Sequence, residues 1–221
     1  MFQGFFGIIQ LISIYIPLAP IFIILFFWKK IGENALTKAL LLLLCVDFLT
    51  DFLTLFLAVW NHWVLDSIYI HQTYYFLFVF TSYNVIRLGF TSPKAKKIIG
   101  ISFSLVALYL LFILLTDFGL KSTLVNPSSL IKVVIILTSI FYFYQTFDEM
   151  KIKSLINHPF FWVVSALFIY QGGSFFLALF QNVIVKIDLN SRDVIWPIYN
   201  ISTILFNLLI LKAVWLMKKA S

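Results

Sequence analysis

The sequence predicts an all-α protein, a polytopic membrane protein whose residues 1–221 form a single bundle of seven transmembrane helices. The chain has seven apolar stretches, 62% of its residues are hydrophobic and only 11% are charged, and the mean hydropathy is +1.02. A helix of about 20 residues crosses the roughly 30 Å of hydrocarbon in a bilayer. A soluble domain of this length cannot hide that much apolar surface from water. The composition therefore excludes an ordinary soluble globular domain.

The predicted helices follow one another through short connections. They cover residues 5–28, 37–60, 67–90, 97–117, 129–149, 159–184 and 194–217. Every connection contains helix breakers or charged residues, as expected between spans. Inside the first helix, Pro17 and Pro20 interrupt the hydrogen-bond ladder, so we expect a kink there. Pro159 stands where proline is well tolerated, in the first turn of the sixth helix.

Basic residues concentrate at alternate connections. They are Lys29, Lys30 and Lys38, then Arg87, Lys94, Lys96 and Lys97, then Lys151 and Lys153, and finally Lys212, Lys218 and Lys219. By the positive-inside rule these ends are cytoplasmic, which predicts an N-terminus outside and a C-terminus inside a cell (plasma) membrane. The net charge of +7 is explained by anchors to lipid headgroups, so we expect the lipid bilayer as a partner and no nucleic acid. The oligomeric state stays open.

Two carboxylates lie at membrane depth on the second predicted helix. Asp47 and Asp51 are four residues apart, which places them on one face, with Thr54 one turn beyond. An ionised group at the bilayer centre costs at least about 2.5 to 3.5 kcal/mol, so such residues are candidates for function. Two like charges one turn apart resist ionising together, and we expect at least one neutral carboxyl at neutral pH. The pair predicts a proton, cation or ligand site, or else a structural contact between helices.

Further polar residues follow the sixth and seventh predicted helices. Gly172 and Gly173 remove side-chain bulk near the middle of the sixth helix, which favours close approach of a neighbouring helix or of a ligand. Together with the carboxylates, the polar residues predict a seam inside the bundle that binds a ligand or a proton. Its candidate residues are Asp47, Asp51, Gln171, Ser174, Asn200, Thr203 and Asn207.

Other chemistries are less well supported. Lys212 lies near the cytoplasmic end of the seventh helix, where it can reach the headgroups, and this argues against a retinal Schiff base. His62 and His71 are on the outer side and His158 is on the inner side, so a three-ligand zinc site is not expected. No hydrolase motif occurs, and one cysteine, Cys45, excludes intramolecular disulfides. We therefore expect no cofactor, no metal and no catalytic residue.

One set of residues resembles a known group of proteins. The stretch Pro159-Phe160-Phe161-Trp162, followed by Tyr170, Gly173 and Phe176, is similar to the sixth-helix signature of uncharacterised bacterial seven-helix proteins. That group often has an acidic residue where this chain has the helix-2 carboxylates. Its members are often associated with sensory histidine kinases, which implies a sensing or signalling role in the inner membrane. Because we find no kinase or response-regulator module in the chain, the resemblance implies a cytoplasmic or membrane signalling partner.

The sequence thus predicts a non-enzymatic sensor or receptor-like protein that binds a small or lipophilic ligand, or a proton, within the bundle. The alternative is a small secondary transporter or ion-translocating protein that uses Asp47 and Asp51 as its titratable site. A membrane hydrolase is the third interpretation. A transporter requires discontinuous helices beside a cavity, whereas a hydrolase requires a histidine within bonding distance of a carboxylate.

Overall fold

The computed structural model describes residues 2–61, 64–116, 127–148, 155–187 and 192–220. Within these ranges every regular element is helical and no strand occurs, which confirms the all-α prediction. The helices are α1 (Phe2–Tyr15), α2 (Leu18–Phe26), α3 (Trp28–Ile31), α4 (Ala35–Asn61), α5 (Val64–Arg87), α6 (Pro93–Thr116), α7 (Pro127–Asp148), α8 (Pro159–Ile187) and α9 (Arg192–Ala220). One turn of 3-10 helix at Leu155–Asn157 precedes α8.

Six segments are long and apolar enough to cross a membrane. They are Gly7–Phe26, Ala35–Phe56, Pro93–Ile113, Ser128–Asp148, Pro159–Leu177 and Pro197–Lys219. The apolar side chains on their outer surfaces are well exposed, with Phe26 at 82% and Leu105 and Leu108 at 62%. An apolar surface of this extent needs lipid around it. The chain is therefore a multi-pass membrane protein.

The predicted span at residues 67–90 corresponds to α5, which is not among those six. With 24 residues, α5 is about 36 Å long and thus long enough to cross the hydrocarbon layer. Its sequence is less apolar because tyrosines alternate with histidine, glutamine, threonine, serine and asparagine. α5 nevertheless packs against α4, α6 and α7, inside the same bundle as the more apolar helices.

The first predicted helix is interrupted. The prediction of one helix over 5–28 is wrong, because α1 ends at Tyr15 and α2 begins at Leu18. Pro17 has no N–H to donate to the preceding turn. Beyond the break, the Ala19 N–H donates to the Ile16 carbonyl at 3.0 Å, a tighter three-residue turn. The helix is therefore interrupted for two residues at the prolines, while Pro17 itself keeps helical backbone angles (φ −60°, ψ −23°).

Neighbouring helices close a ring. α4 packs on α5, α5 on α7, α7 on α8, α8 on α9, and α9 on α1 and α2, which return to α4. α6 lies against α5 and α7. The core between them is formed by buried aliphatic and aromatic residues, among them Leu40, Leu44, Ile135, Leu167 and Ile210.

One end of the ring collects the lysine-rich connections, and we call it the basic end. The start of α4, the end of α5, the end of α7 and the start of α8 meet there around a common cavity. The end of α9 reaches the same place, because the Lys218 ammonium lies 3.9 Å from the ring centre of Phe27. The basic residues of this end are Lys29, Lys30, Lys38, Arg87, Lys94, Lys96, Lys97, Lys218 and Lys219.

Candidate functional site

The centre of the candidate site is the carboxylate of Asp47 on α4. It is 5% exposed, and its Oδ1 accepts a hydrogen bond of 3.0 Å from the Tyr74 hydroxyl on α5. Its second oxygen, Oδ2, is buried with no hydrogen-bond partner among the described residues. Buried polar atoms are nearly always paired, so an open acceptor in the protein interior marks a place for a proton, a cation or a donor group.

Three tyrosines lie near this carboxylate, and we call them with Asp47 and Asp51 the tyrosine cluster. The hydroxyls of Tyr170 on α8 and Tyr199 on α9 are 2.6 Å apart, and Tyr170 also interacts with Tyr74. Asp51, partly buried one turn after Asp47, is close enough for its charge to act on Asp47 and on all three tyrosines. The cluster therefore joins α4, α5, α8 and α9 through one network of hydroxyls and carboxylates.

A partly buried lysine lies close to Tyr170. The Lys132 ammonium on α7 donates a 2.7 Å hydrogen bond to the Ser174 hydroxyl and lies 5.9 Å from the ring centre of Tyr170. Ser174 in turn donates to the Tyr170 carbonyl at 2.8 Å. A cation and two carboxylates thus lie near the same group of tyrosines. This arrangement can hold a proton, a cation or a ligand that carries both charges.

The structure divides the polar seam predicted from the sequence. Gln171, Ser174, Asn200, Thr203 and Asn207 are all buried, between 0% and 7% exposed. On α9, however, the Thr203 hydroxyl donates to the Tyr199 carbonyl and the Asn207 amide donates to the Thr203 carbonyl. These two side chains bond to their own helix, and Asn207 lies about 12 Å along α9 from Tyr199. The tyrosine cluster therefore includes Asp47 and Asp51 but not Asn207.

The two glycines of α8 have different surroundings. A Cβ on Gly173 would lie 2.8 Å from Ser202 Oγ on α9, whereas a Cβ on Gly172 would meet no atom within 4 Å. Gly173 therefore permits close packing of α8 on α9. The contact between α8 and α9 is more extensive than the contact between α7 and α8. Gly172 leaves open space beside the helix that carries Tyr170 and Ser174.

Sequence reasoning missed several participants. Tyr74 and Tyr199 belong to the cluster and Lys132 lies beside it, yet none of the three is among the predicted site residues. Lys132 had a detectable signal, since it is a charge five residues inside an apolar helix. The tyrosines had none, because nothing in α5 or α9 distinguishes Tyr74 and Tyr199 from the other tyrosines of the chain.

A second polar region lies at the basic end. A cavity of about 450 Å³ opens there between α4, α5, α7 and α8. Its polar wall contains Asn34, Thr91, Tyr142, Gln145, Thr146 and His158. Asn34, which lines the same cavity as His158, is about 25 Å from Asp51, since 17 residues of α4 separate them. This histidine and the carboxylates do not form one site.

No metal site is found in the part of the chain that the structure describes: it holds no group of three or more histidine, cysteine, aspartate or glutamate side chains that could bind an ion. His62 and the side chain of His71 lie outside the described residues. The Lys212 side chain on α9 is exposed.

Comparisons with known proteins identify no relative. No protein-family model, no curated protein and no solved structure matches the chain.

Proposed function

We propose that this protein is a seven-span sensor of the bacterial inner membrane, which binds a proton or a small ligand at the tyrosine cluster. In this proposal α5 is the seventh span, the N-terminus is outside and the C-terminus is cytoplasmic. The length of α5 and its place among apolar helices support the count, and the lysine-rich ends of the helices support the orientation. A reporter fused after Ser221 should be cytoplasmic, and one before Met1 should be outside.

The observation that carries the proposal is the open acceptor Oδ2 of Asp47, buried beside Asp51 and three hydroxyls. Protonation or ligand binding there satisfies the acceptor and changes the charge between four helices. Such a change can shift the balance between two packings of the bundle. The signal then passes to a cytoplasmic or membrane signalling partner, in agreement with the resemblance to bacterial sensory proteins.

The test uses the full chain in liposomes, with tyrosine and tryptophan fluorescence recorded across a pH titration. We expect a sigmoid transition in the wild type that is lost in Asp51→Asn, because the amide keeps the size and hydrogen-bonding groups of a carboxyl but cannot ionise. Asp148→Asn is the matched control, since Asp148 is an exposed aspartate at the end of α7. An unchanged transition in a folded Asp47→Asn, Asp51→Asn double variant would contradict the proposal.

A secondary transporter is the second candidate, favoured by the break at Pro17 between α1 and α2. Broken helices are typical of transporters, in which free backbone groups face the substrate. The same variants distinguish the two functions in sealed liposomes that contain a pH-sensitive dye. A transporter moves protons across the membrane and loses this flux in Asp51→Asn. A sensor shows the fluorescence transition without flux.

A further inference from the structure

The cavity at the basic end has the size of a ligand site and a wall rich in hydrogen-bond donors. Its volume of about 450 Å³ lies within the range of roughly 300 to 1,000 Å³ that is common for small-molecule sites. Leu36, Leu88 and Phe160 are its large apolar lining residues, and we call them the apolar side. The remaining wall is neutral and polar, so the cavity suits a ligand with a polar head and an apolar body.

The polar atoms of the wall favour a ligand that accepts hydrogen bonds. Asn34 uses its Oδ1 to accept the Leu36 N–H at 2.9 Å, which turns its amide N–H groups to other partners. Tyr142 is only 3% exposed; its hydroxyl has the Thr146 side chain beside it but makes no hydrogen bond of good geometry. Nδ1 of His158 is likewise buried without a hydrogen-bond partner among the described residues. Unpaired buried groups of this kind are expected to meet a ligand.

Two long helices begin at the same cavity. α4, with 27 residues, begins at Ala35, and α8, with 29 residues, begins at Pro159, between the lining residues His158 and Phe160. The N-terminal end of a helix carries a partial positive charge and free N–H groups, which attract anions. The surrounding charge has the same sign, because the described basic end has nine lysines and arginines against two acids, Glu33 and Asp148.

We propose that this cavity binds a phosphate ester, and specifically the headgroup of an anionic phospholipid. The donor-rich wall and the two helix N-termini suit the phosphate oxygens, and the apolar side suits the glycerol and the first methylene groups of the acyl chains. The cavity lies where the spans end, which is the depth of the headgroups. A soluble phosphate ester has the same phosphate chemistry, but it leaves the apolar side without a partner.

The test adds one negative charge inside the cavity without disturbing the helix cap. Asn34→Asp keeps the oxygen that accepts the Leu36 N–H, and aspartate is as good an N-cap as asparagine. Asn34→Ser keeps the cap without the charge. Ser92→Asp adds the same charge to the adjacent connection, at a residue that does not line the cavity. The three variants separate charge in the cavity from loss of the cap and from charge on the surface.

The full chain in a neutral detergent is titrated with phosphatidylglycerol, phosphatidylcholine and inorganic phosphate, and bound lipid is counted by native mass spectrometry. We expect phosphatidylglycerol to bind and Asn34→Asp to weaken its binding by about tenfold or more, because the new carboxylate repels the phosphate at short range. Ser92→Asp should bind within about twofold of wild type. Asn34→Ser loses the amide donor but adds no charge, so it should weaken binding less than Asn34→Asp does. Tyr142→Phe should also weaken binding, and it adds no charge that could disturb folding.

The outcomes divide clearly. Binding of inorganic phosphate that is as tight as that of phosphatidylglycerol would overturn the lipid assignment, since the apolar side would then contribute nothing. Equal weakening by Asn34→Asp and Ser92→Asp would overturn the site, because diffuse surface charge would explain the binding. Equal affinity for phosphatidylcholine would overturn the requirement for net negative charge. Asp51→Asn is expected to leave lipid binding unchanged, so failure here is distinct from failure of the sensor proposal.

Discussion

The tyrosine cluster and the basic-end cavity are both polar regions in one apolar bundle, yet they are built in different ways. In the cluster, ionisable side chains lie beside tyrosine hydroxyls. Tyr74 donates to Asp47 Oδ1, the hydroxyls of Tyr170 and Tyr199 are hydrogen-bonded to each other, and Asp47 Oδ2 has no partner among the described residues. The cavity has no charged side chain in its wall and about 450 Å³ of space. We therefore expect the cluster to respond through a change in the protonation of its own side chains, whereas the cavity has room for a ligand.

The difference follows from position along the helices. The cluster draws on the middle of α4, where every polar group must find a partner inside the protein because none is available in the hydrocarbon. The cavity lies at helix ends, where backbone N–H groups are already unpaired and where water and headgroups are near. A binding site in the middle of the bundle is therefore built from side chains. A binding site at the end of the bundle can also use backbone N–H groups.

The largest expected effect is a change in stability when alanine replaces a glycine near each of the two regions. A Cβ on Gly89, between α5 and α6, would collide with the ring of Phe160, which is buried beside Tyr142. Gly89→Ala should therefore displace the cavity wall and lower the stability by about 1 to 3 kcal/mol. Gly172→Ala has open space around it and should instead stabilise α8 by about 0.5 to 1 kcal/mol. Thermal midpoints in detergent measure both.

The two glycine variants also test whether the regions are independent. Gly89→Ala should leave the pH-dependent fluorescence transition of the tyrosine cluster in place, because the variant alters only the basic end. A transition that disappears together with the cavity would show that the two regions form one cooperative unit.

These contacts illustrate what the sequence can predict. The helices α4 to α9 lie within a few residues of their predicted bounds, since long apolar runs and breakers determine them locally. The burial of Asp47, Gln171 and Asn207 also follows from the cost of placing polar groups in lipid. These properties depend on each helix alone.

Partners across helices could not be predicted in this way. Which tyrosine reaches Asp47 depends on the rotation of α5 and on its order in the ring, where it contacts α7 directly although α6 intervenes in the chain. The end of α1 at Tyr15 and the start of α2 at Leu18 depend on the backbone conformation at two nearby prolines, which cannot be read from the apolar pattern. The cavity at the basic end is lined by four separate parts of the chain, the first of them at Asn34 and the last at Phe160. No local sequence pattern predicts it.

The second prediction concerns the hydrogen bond that holds the cluster together. Tyr74→Phe removes the donor to Asp47 Oδ1, so both oxygens of this buried carboxyl then lack the pairing found in the wild type. We expect a loss of about 1 to 3 kcal/mol in unfolding free energy. Tyr144→Phe, at a tyrosine of α7 that is 66% exposed, is the matched control for the loss of a tyrosine hydroxyl. Equal losses of unfolding free energy in the two variants would show that the hydrogen bond to Asp47 does not contribute to stability.

The third prediction concerns the partly buried cation. Lys132→Met keeps the length of the side chain and removes a charge whose hydrogen bond goes to a neutral hydroxyl, Ser174 Oγ. An ammonium whose hydrogen-bond partner is a neutral hydroxyl keeps much of its desolvation cost, which a methionine of similar length does not have, so we expect a gain of about 1 kcal/mol. Ser174→Ala should have the opposite sign, because it leaves the ammonium without that acceptor. A gain in stability accompanied by a lost fluorescence transition would place Lys132 in the sensor mechanism.

The smallest expected effect is the pH dependence of the cavity wall. Partial burial lowers the pKa of His158 from its ordinary value of 6.5. The unfolded chain therefore binds a proton at a higher pH than the folded protein does, and stability falls as the pH decreases through 6.5 towards the folded pKa. His158→Gln cannot titrate and should show a smaller decrease in thermal midpoint between pH 7.5 and pH 5.5, a window of about one unit on either side of the ordinary histidine pKa. Because Asp47 and Asp51 are unchanged in the variant, the difference between the two melting curves isolates the histidine. Identical curves would mean that the His158 ring is as well hydrated in the folded protein as in the unfolded chain, and the cavity would then lose one of its two unpaired side-chain groups.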